Sequence, residues 1–493
     1  MPEQQSTVPV LHEPAPGPAT ARLVIGVGTC DEPVLLAGIS HLVEHLAVRG
    51  ALPVVTWHNA VTSDWATSFE VTSATTQDAL DVLVRVTESI AALVDASDAD
   101  VERERRVLAA EDRLRYHEQV PSIHTVRFGP TGPGRAGAGA AATHSLTATE
   151  VRDWVRRWYV AENAVVTITG GTAPASRLSV ALPAGAPAGP LAPWTGRSGG
   201  GFLQTSGLGG VAASVVVPQA TAQLLEAVIE HEVFDDVRIG AALSYAVDAH
   251  TVDIDLETSV VAVVVEPAEG DVAASVELVV SALRRIAERG PSATTLARVG
   301  AARVLNTLDA TVRADIQLSF AALQRLRGRR DPGTLPPEVT DEEVADLRAV
   351  LRRAMPDLVV CIDEDLDVDH AAVAERVGLT YRAPAIGTPL HEAGPLGRPT
   401  GRTHRDAMVP TWATAWAQLR GPVLTIRIRD GGERAVDLSD VAVVGLRGDH
   451  GITIVDGAGE QFQVRAEDWW RGARLVAEVR AATPPHLVRE FSA

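Results

Sequence analysis

Three side chains within little more than one helical turn have the types and spacing to hold a metal ion and work on water beside it. They are His41, Glu44 and His45, in the stretch Gly38-Ile-Ser-His-Leu-Val-Glu-His-Leu-Ala-Val-Arg-Gly50. His41 and His45 are four residues apart, so a helix stacks them on one face. Two imidazoles in that relation can grip one zinc ion, and Glu44 is then close enough to take a proton from a water on it. The chemistry requires a helix. Pro33 suits a first helical turn, with Asp31 and Glu32 beside it, and Gly50 suits a C-terminal cap. Leu35, Leu36, Ile39, Leu42, Val43 and Leu46 supply the apolar stripe between them.

Zinc needs a third protein ligand, and a carboxylate is a usual choice. The helical pattern from Val101 to Asp112 offers Glu104 and Glu111, seven residues apart on one face. Spacing alone leaves each open between ligand and surface carboxylate. Asn59-Ala-Val-Thr-Ser-Asp-Trp-Ala-Thr-Ser-Phe69 alternates as a strand does. Leu146 to Glu150, Trp158 to Asn163 and the strand Ala164 to Thr169 complete a first unit.

These segments resemble the pitrilysin/insulinase family of zinc peptidases across roughly residues 20–170. The family follows H-x-x-E-H with E-R-x-x-(apolar)-x-x-E, which here is Glu104 to Glu111. The gap of 65 residues between His45 and Glu111 is somewhat shorter than the family's. The resemblance implies that Glu111 is the third zinc ligand and that Glu104 is a carboxylate behind the ligands. It also implies that the strand with Asn59 and Ala60 borders bound substrate.

Composition agrees and excludes several classes. The 493 residues carry a net charge of −19, which argues against a nucleic-acid partner. The chain has no lysine, so lysine Schiff-base and P-loop chemistry are out. Two cysteines, Cys30 and Cys361, are too few for a disulfide framework, and Cys30 reads as a small buried residue. No apolar run reads as a membrane span, and the polar, Pro-rich start lacks a secretion signal, so a cytoplasmic location is expected.

The expected fold class is α+β, with two homologous sheet-and-helix domains and a small C-terminal β-rich domain. The zinc-binding domain covers 1–181 and a Pro/Gly-rich linker 182–201. The second domain covers 202–382, a second linker 383–412 and the C-terminal domain 413–493. The two large domains repeat one grammar of strand, helix, strand pair and long helix, which suggests duplication. In the resembling family only the first half binds zinc. Arg238 and Tyr245, seven apart, read on spacing alone as a surface Arg and a half-buried Tyr. They resemble the family's Arg…Tyr pair, which implies that they hold a substrate carbonyl as oxyanion donors.

Other features read as structural. His231-Glu232 lacks a second histidine, because position 235 is Asp235, and reads as helix surface. The glycine-rich Gly132 to Gly139 reads as a flexible loop, and His117, His124 and His144 as solvated. In the tail, two hairpins precede an amphipathic helix from Glu467 to Ala482, similar to a pleckstrin-homology-like barrel. From residue 413 it carries ten Arg against eleven acidic residues, which suits a docking or dimerisation module better than anionic lipid. Every candidate ligand precedes the first linker, so metal binding is expected to be independent of this tail.

The resemblance thus implies a processing-peptidase-like zinc endopeptidase. Its cofactor would be zinc, with His41, His45 and Glu111 as ligands and Glu44 as general base. Flexible peptides would be cut in a chamber formed by a homodimer, or by a heterodimer with a related subunit. The alternative is a non-catalytic, peptide-binding partner subunit of a peptidase heterodimer.

Overall fold

The computed structural model describes residues 6–51, 57–112, 120–136, 143–194, 200–205, 210–268, 270–329, 338–363, 368–382, 388–389, 404–405, 416–427, 433–446, 451–456, 461–469 and 471–490. His117 lies outside the described residues. The first half contains β1 (Ser6–Glu13), β2 (Ala19–Ile25), α1 (Ile39–Ala51), β3 (Trp57–Thr62), β4 (Thr67–Ser73) and α2 (Thr76–Ala92). It continues with α3 (Asp98–Asp112), α4 (Val120–Phe128), α5 (Ala148–Trp158), β5 (Ala164–Thr169) and β6 (Arg177–Val180). Its six strands lie in the order β3-β4-β2-β5-β1-β6. Alternate residues of β2 and β4, such as Leu23, Ile25, Phe69 and Val71, face one side and meet α1, α2 and α5.

The second half contains β7 (Gly201–Thr205), β8 (Val211–Pro218), α6 (Gln219–Val233), β9 (Ser244–Asp253), β10 (Thr258–Pro267), α7 (Val272–Arg289), α8 (Ala293–Leu308) and α9 (Ala310–Arg327). After these come α10 (Asp341–Ala354), β11 (Val359–Asp363), α11 (His370–Arg376) and β12 (Tyr381–Arg382). Read from its other end, this sheet runs β9-β10-β8-β11-β7-β12, the same order as the first. The duplication expected from the sequence therefore holds strand for strand. One pairing differs: β6 is antiparallel to β1, whereas β12 is parallel to β7.

Each half lends a helix to the other. α9 covers the outer face of the first sheet, with Ala322 and Leu326 against Val24 and Val165. α4 covers the outer face of the second, with Ile123 against Leu203, Ala212, Ala262 and Val264. Arg127 on α4 is buried in the second half, donating to Ser214 O at 2.9 Å and Asp357 O at 2.9 Å, and burial pulls its pKa down to about 10. The stretch read as a free linker is pinned between the halves. Leu191 N donates to Arg327 O, Ala188 N donates to Asn163 Oδ1, and the Trp194 ring meets that of Phe128.

The C-terminal domain has two sheets around α12 (Gly472–Ala482). One holds β13 (Thr388–Pro389), β14 (His404–Arg405), β15 (Trp416–Arg420), β16 (Val423–Arg427) and β17 (Glu433–Asp437). The other holds β18 (Val441–Leu446), β19 (Gly451–Asp456), β20 (Gln461–Arg465) and β21 (Val488–Glu490). Both expected hairpins form. β13 and β14 join the first of these sheets, so this domain recruits strands from within 383–412, and β21 adds a strand beyond the closing helix. The stretch Val34–Ala51 reaches a mean hydropathy of 1.2 over 18 residues, but 56% of it is buried in the protein, as a core helix is.

Candidate metal centre

The helix that carries His41 and His45 starts later than its sequence pattern suggests. Short turns at Thr29–Asp31 and Val34–Leu36 precede it, and α1 begins at Ile39. Gly38 breaks the run with φ +92, a value that suits glycine and strains other residues. This turn lets Glu32 fold back onto the open helix end. Its carboxylate accepts from Gly38 N at 2.8 Å and Ser40 N at 2.9 Å. Glu32 is buried, and burial raises its pKa against the opposing pull of Arg135, 3.7 Å away, and of those two amides. Arg135 comes from the Gly132–Arg135 turn, so the first part of the expected flexible glycine loop is a buried brace. Gly50 lies inside the last turn of α1 and is not a cap.

α3 packs beside α1 and completes a group of three. Glu111 Oε2 lies 3.3 Å from His45 Nε2 and 3.8 Å from His41 Nε2, and one ligand atom from each residue falls within 4.8 Å of the others. Among the described residues this is the one cluster of three metal-ligating side chains. Tetrahedral zinc with bonds of about 2.0–2.2 Å to N and O needs ligand atoms about 3.3–3.5 Å apart. The donor set suits that ion, and the His45–Glu111 separation matches; His41 stands farther off and would close in by a few tenths of an ångström or more to bind it.

Glu104 stands behind His45, its Oε2 3.8 Å from His45 Nδ1. Arg49, from the end of α1, donates to Glu104 Oε1 at 3.0 Å and Asp100 Oδ1 at 2.6 Å, tying the two helices. Hydrogen bonds from Ser97 and then Arg49 lower the Asp100 pKa. Glu44 is buried and its Oε2 accepts from Thr62 Oγ1 at 2.7 Å. Thr62 ends β3, the edge strand that also carries Asn59, which is exposed, and Ala60, which is half-buried. Tyr159 is buried near Glu44, and burial pushes its pKa up, with the negative charge of Glu44 adding to the rise.

The structure thus brings His41, Glu44, His45, Glu104 and Glu111 together, as the sequence reading grouped them; that reading placed Glu32 at the helix start without its capping role and did not single out Arg49, Thr62 or Arg135. Thr62 lay inside the segment already singled out. Glu32 gave only the signal of an acidic residue near a helix start, and Arg135 gave none, because its role depends on a glutamate about a hundred residues away.

Arg238 and Tyr245 come together, but on the second half. Arg238 lies in a π-helical turn, Phe234–Gly240, and its guanidinium stands 5.4 Å from the Phe234 ring and 4.7 Å from the Tyr245 ring. Tyr245 is the second residue of β9 and is 80% exposed, so it is not half-buried as spacing alone suggested. β9 occupies the place in the second sheet that β3 has in the first, and α6 and α8 take the places of α1 and α3. There Arg298 of α8 pairs with Asp235 at 2.8 Å, an ion pair in place of ligands. Glu232, expected at the surface, is buried, accepting from Arg285 at 2.8 Å and Ser292 N at 2.7 Å. His124 is likewise buried, not solvated. Cys30 is buried as expected.

No family model matches the sequence, and no curated protein matches it. Solved structures do match in fold. A protease from Helicobacter pylori superposes with a TM-score of 0.59 at 15% identity, covering 73% of this chain and 98% of that one. A chain of complex III2 from Candida albicans, bound to Inz-5, gives 0.57 at 13% identity, with 75% and 96% covered. A peptidase M16 inactive domain from Pseudomonas fluorescens gives 0.51 at 14% identity, with 72% and 94% covered. The chain shares the fold of M16 peptidases. Among these neighbours are a protease and an inactive domain, so the fold alone does not choose between them.

Proposed function

We propose that the protein is a zinc endopeptidase that cuts flexible peptides. The observation that carries this reading is the convergence of His41, His45 and Glu111 from two helices, with the buried carboxylate of Glu44 one residue from a ligand. When bound, zinc supplies Lewis-acid polarisation and makes water acidic enough to be deprotonated near neutral pH. Glu44 would serve as the base towards the attacking water and then as the acid towards the departing amine. Thr62 aims Glu44 by its hydrogen bond, and Glu104 steadies the ring of His45. The edge strand β3 can take an extended peptide as an added strand past Asn59 and Ala60.

Arg238 and Tyr245 would hold the substrate carbonyl in this scheme. Their support is local: a π-helical turn, a left-handed Ala242 at φ 56 between them, and an exposed phenol stacked on a cation. The pair belongs to the second half and the ligands to the first. A second subunit, identical or related, would then complete the chamber.

The non-catalytic reading draws on the likeness to an inactive domain. The complete His41, His45, Glu44 and Glu111 set weighs against it. Glu44→Gln decides between them. The variant should bind about one zinc per chain, like the parent, and hydrolyse a peptide mixture at less than a hundredth of its rate. Equal hydrolysis by parent and variant would sink the mechanism, and no hydrolysis by the zinc-loaded parent would favour the partner-subunit reading.

A further inference from the structure

The C-terminal domain touches the supports of both metal-bearing helices. β21 follows α12 and pairs in parallel with β18, Val444 opposite Val488 and Gly445 opposite Arg489. Arg489 then reaches the first half. Its Nε donates to Leu35 O at 2.8 Å and its Nη2 to Glu150 Oε1 at 2.7 Å. Leu35 sits in the Val34–Leu36 turn that leads into α1, and β18 packs on that same turn. Glu150 caps α5 with its other oxygen, which accepts from Thr147 N at 2.8 Å. β21 also packs on the Thr143–Ser145 turn, which in turn packs on α3. The next residue, Leu146, offers its carbonyl to Arg105 of α3 at 3.1 Å.

We infer that the C-terminal domain is an internal brace for the metal centre and that Arg489 is its positioning residue. This rests on the reading of His41, His45 and Glu111 as zinc ligands. Those ligands come from α1 and α3, which the half-exposed Arg49 ties together from the far end of α1. At the near end of α1, Glu32 caps the helix from within the first half, accepting from Gly38 N and Ser40 N. Arg489 adds a tie from the tail, because one guanidinium fork grips the lead-in of α1 and the cap of α5 at once, and the turn just before α5 packs on α3. The Arg489 and Glu150 side chains are 18% and 23% exposed, so the pair is largely shielded from water. The docking partner of the tail is therefore the chain's own first half, and metal binding depends on the tail although no ligand lies in it.

The test uses the full chain. Zinc affinity is measured by competition with a chromophoric chelator, and hydrogen exchange of residues 34–48 is followed on metal-free protein. Arg489→Ala should weaken zinc binding about tenfold, the lower end of what an outer partner of a metal ligand is worth. It should also speed exchange at 34–48 while β18, β19 and β20 stay protected. Arg489→Lys keeps a charge near Glu150 and loses the fork, so it should fall between. Glu150→Gln keeps an oxygen for the α5 cap and weakens the pairing, giving a smaller loss in a chain that remains folded. Unchanged zinc affinity and exchange in a folded Arg489→Ala, or in Glu150→Gln should Arg489→Ala not fold, would overturn the brace alone. A parent chain that binds no zinc would overturn the ligand assignment and the brace with it.

Discussion

His124→Phe should make the protein less sensitive to acid. His124 lies on α4, where that helix crosses onto the second sheet, and neither ring nitrogen has a hydrogen-bond partner among the described residues. Its ring stacks near Phe128 at 6.5 Å and meets His250 of β9 edge-on at 5.9 Å. Burial, then the charges of His250 and Arg127, pull its pKa from 6.5 down to about 3. The unfolded chain therefore binds a proton below about pH 6.5 that the folded chain refuses. The stability contributed by neutral His124 is fully present above pH 6.5 and is lost progressively as pH falls towards about 3. Each pH unit in that window costs about 1.4 kcal/mol, so at pH 5 the loss is about 2 kcal/mol. Phenylalanine has a similar shape, no proton to gain and no unpaired polar atom, so it should be at least as stable at neutral pH. The assay is urea unfolding of metal-free protein followed by tryptophan fluorescence at pH 7.5, 6.5 and 5. Between pH 7.5 and pH 5 the parent should lose about 2 kcal/mol more than the variant. His250→Gln separates the neighbour's contribution. Parallel stability curves for parent and His124→Phe would refute the reasoning.

Arg238→Ala and Tyr245→Phe should each slow peptide hydrolysis, on the order of a hundredfold for loss of one oxyanion donor, with zinc content unchanged; parental rates would return the pair to a surface role. Flexible peptides of roughly tens of residues should be cut while folded proteins are spared, because a cleft acts only on backbone that reaches its reacting groups. Mass spectrometry of a mixed incubation checks this, and the reverse preference would reject the chamber.

Much of the site was legible because helices are local objects. The four-residue spacing of His41 and His45 commits them to one face wherever the helix ends up, and Glu104 and Glu111 follow the same rule on α3. The repeated order of strands and helices was legible for the same reason, and both sheets indeed share one strand order. What the tertiary structure alone decided lies in contacts between distant segments. Gly38 turns the chain so that Glu32 caps α1, and β3 delivers Thr62 to Glu44. α4 leaves its own half, which buries Arg127 and also His124, read from the sequence as solvated. Glu232 is buried for a comparable reason, since Arg285 and Ser292 reach it from some fifty to sixty residues away. The tail reaches back from Arg489 to Leu35 across 454 positions. Periodicity reports which face of an element is apolar, but not which polar side chain another element will bring against it. That choice is made only when the sheets pack, because a buried charge or amide must find its partner there or destabilise the fold.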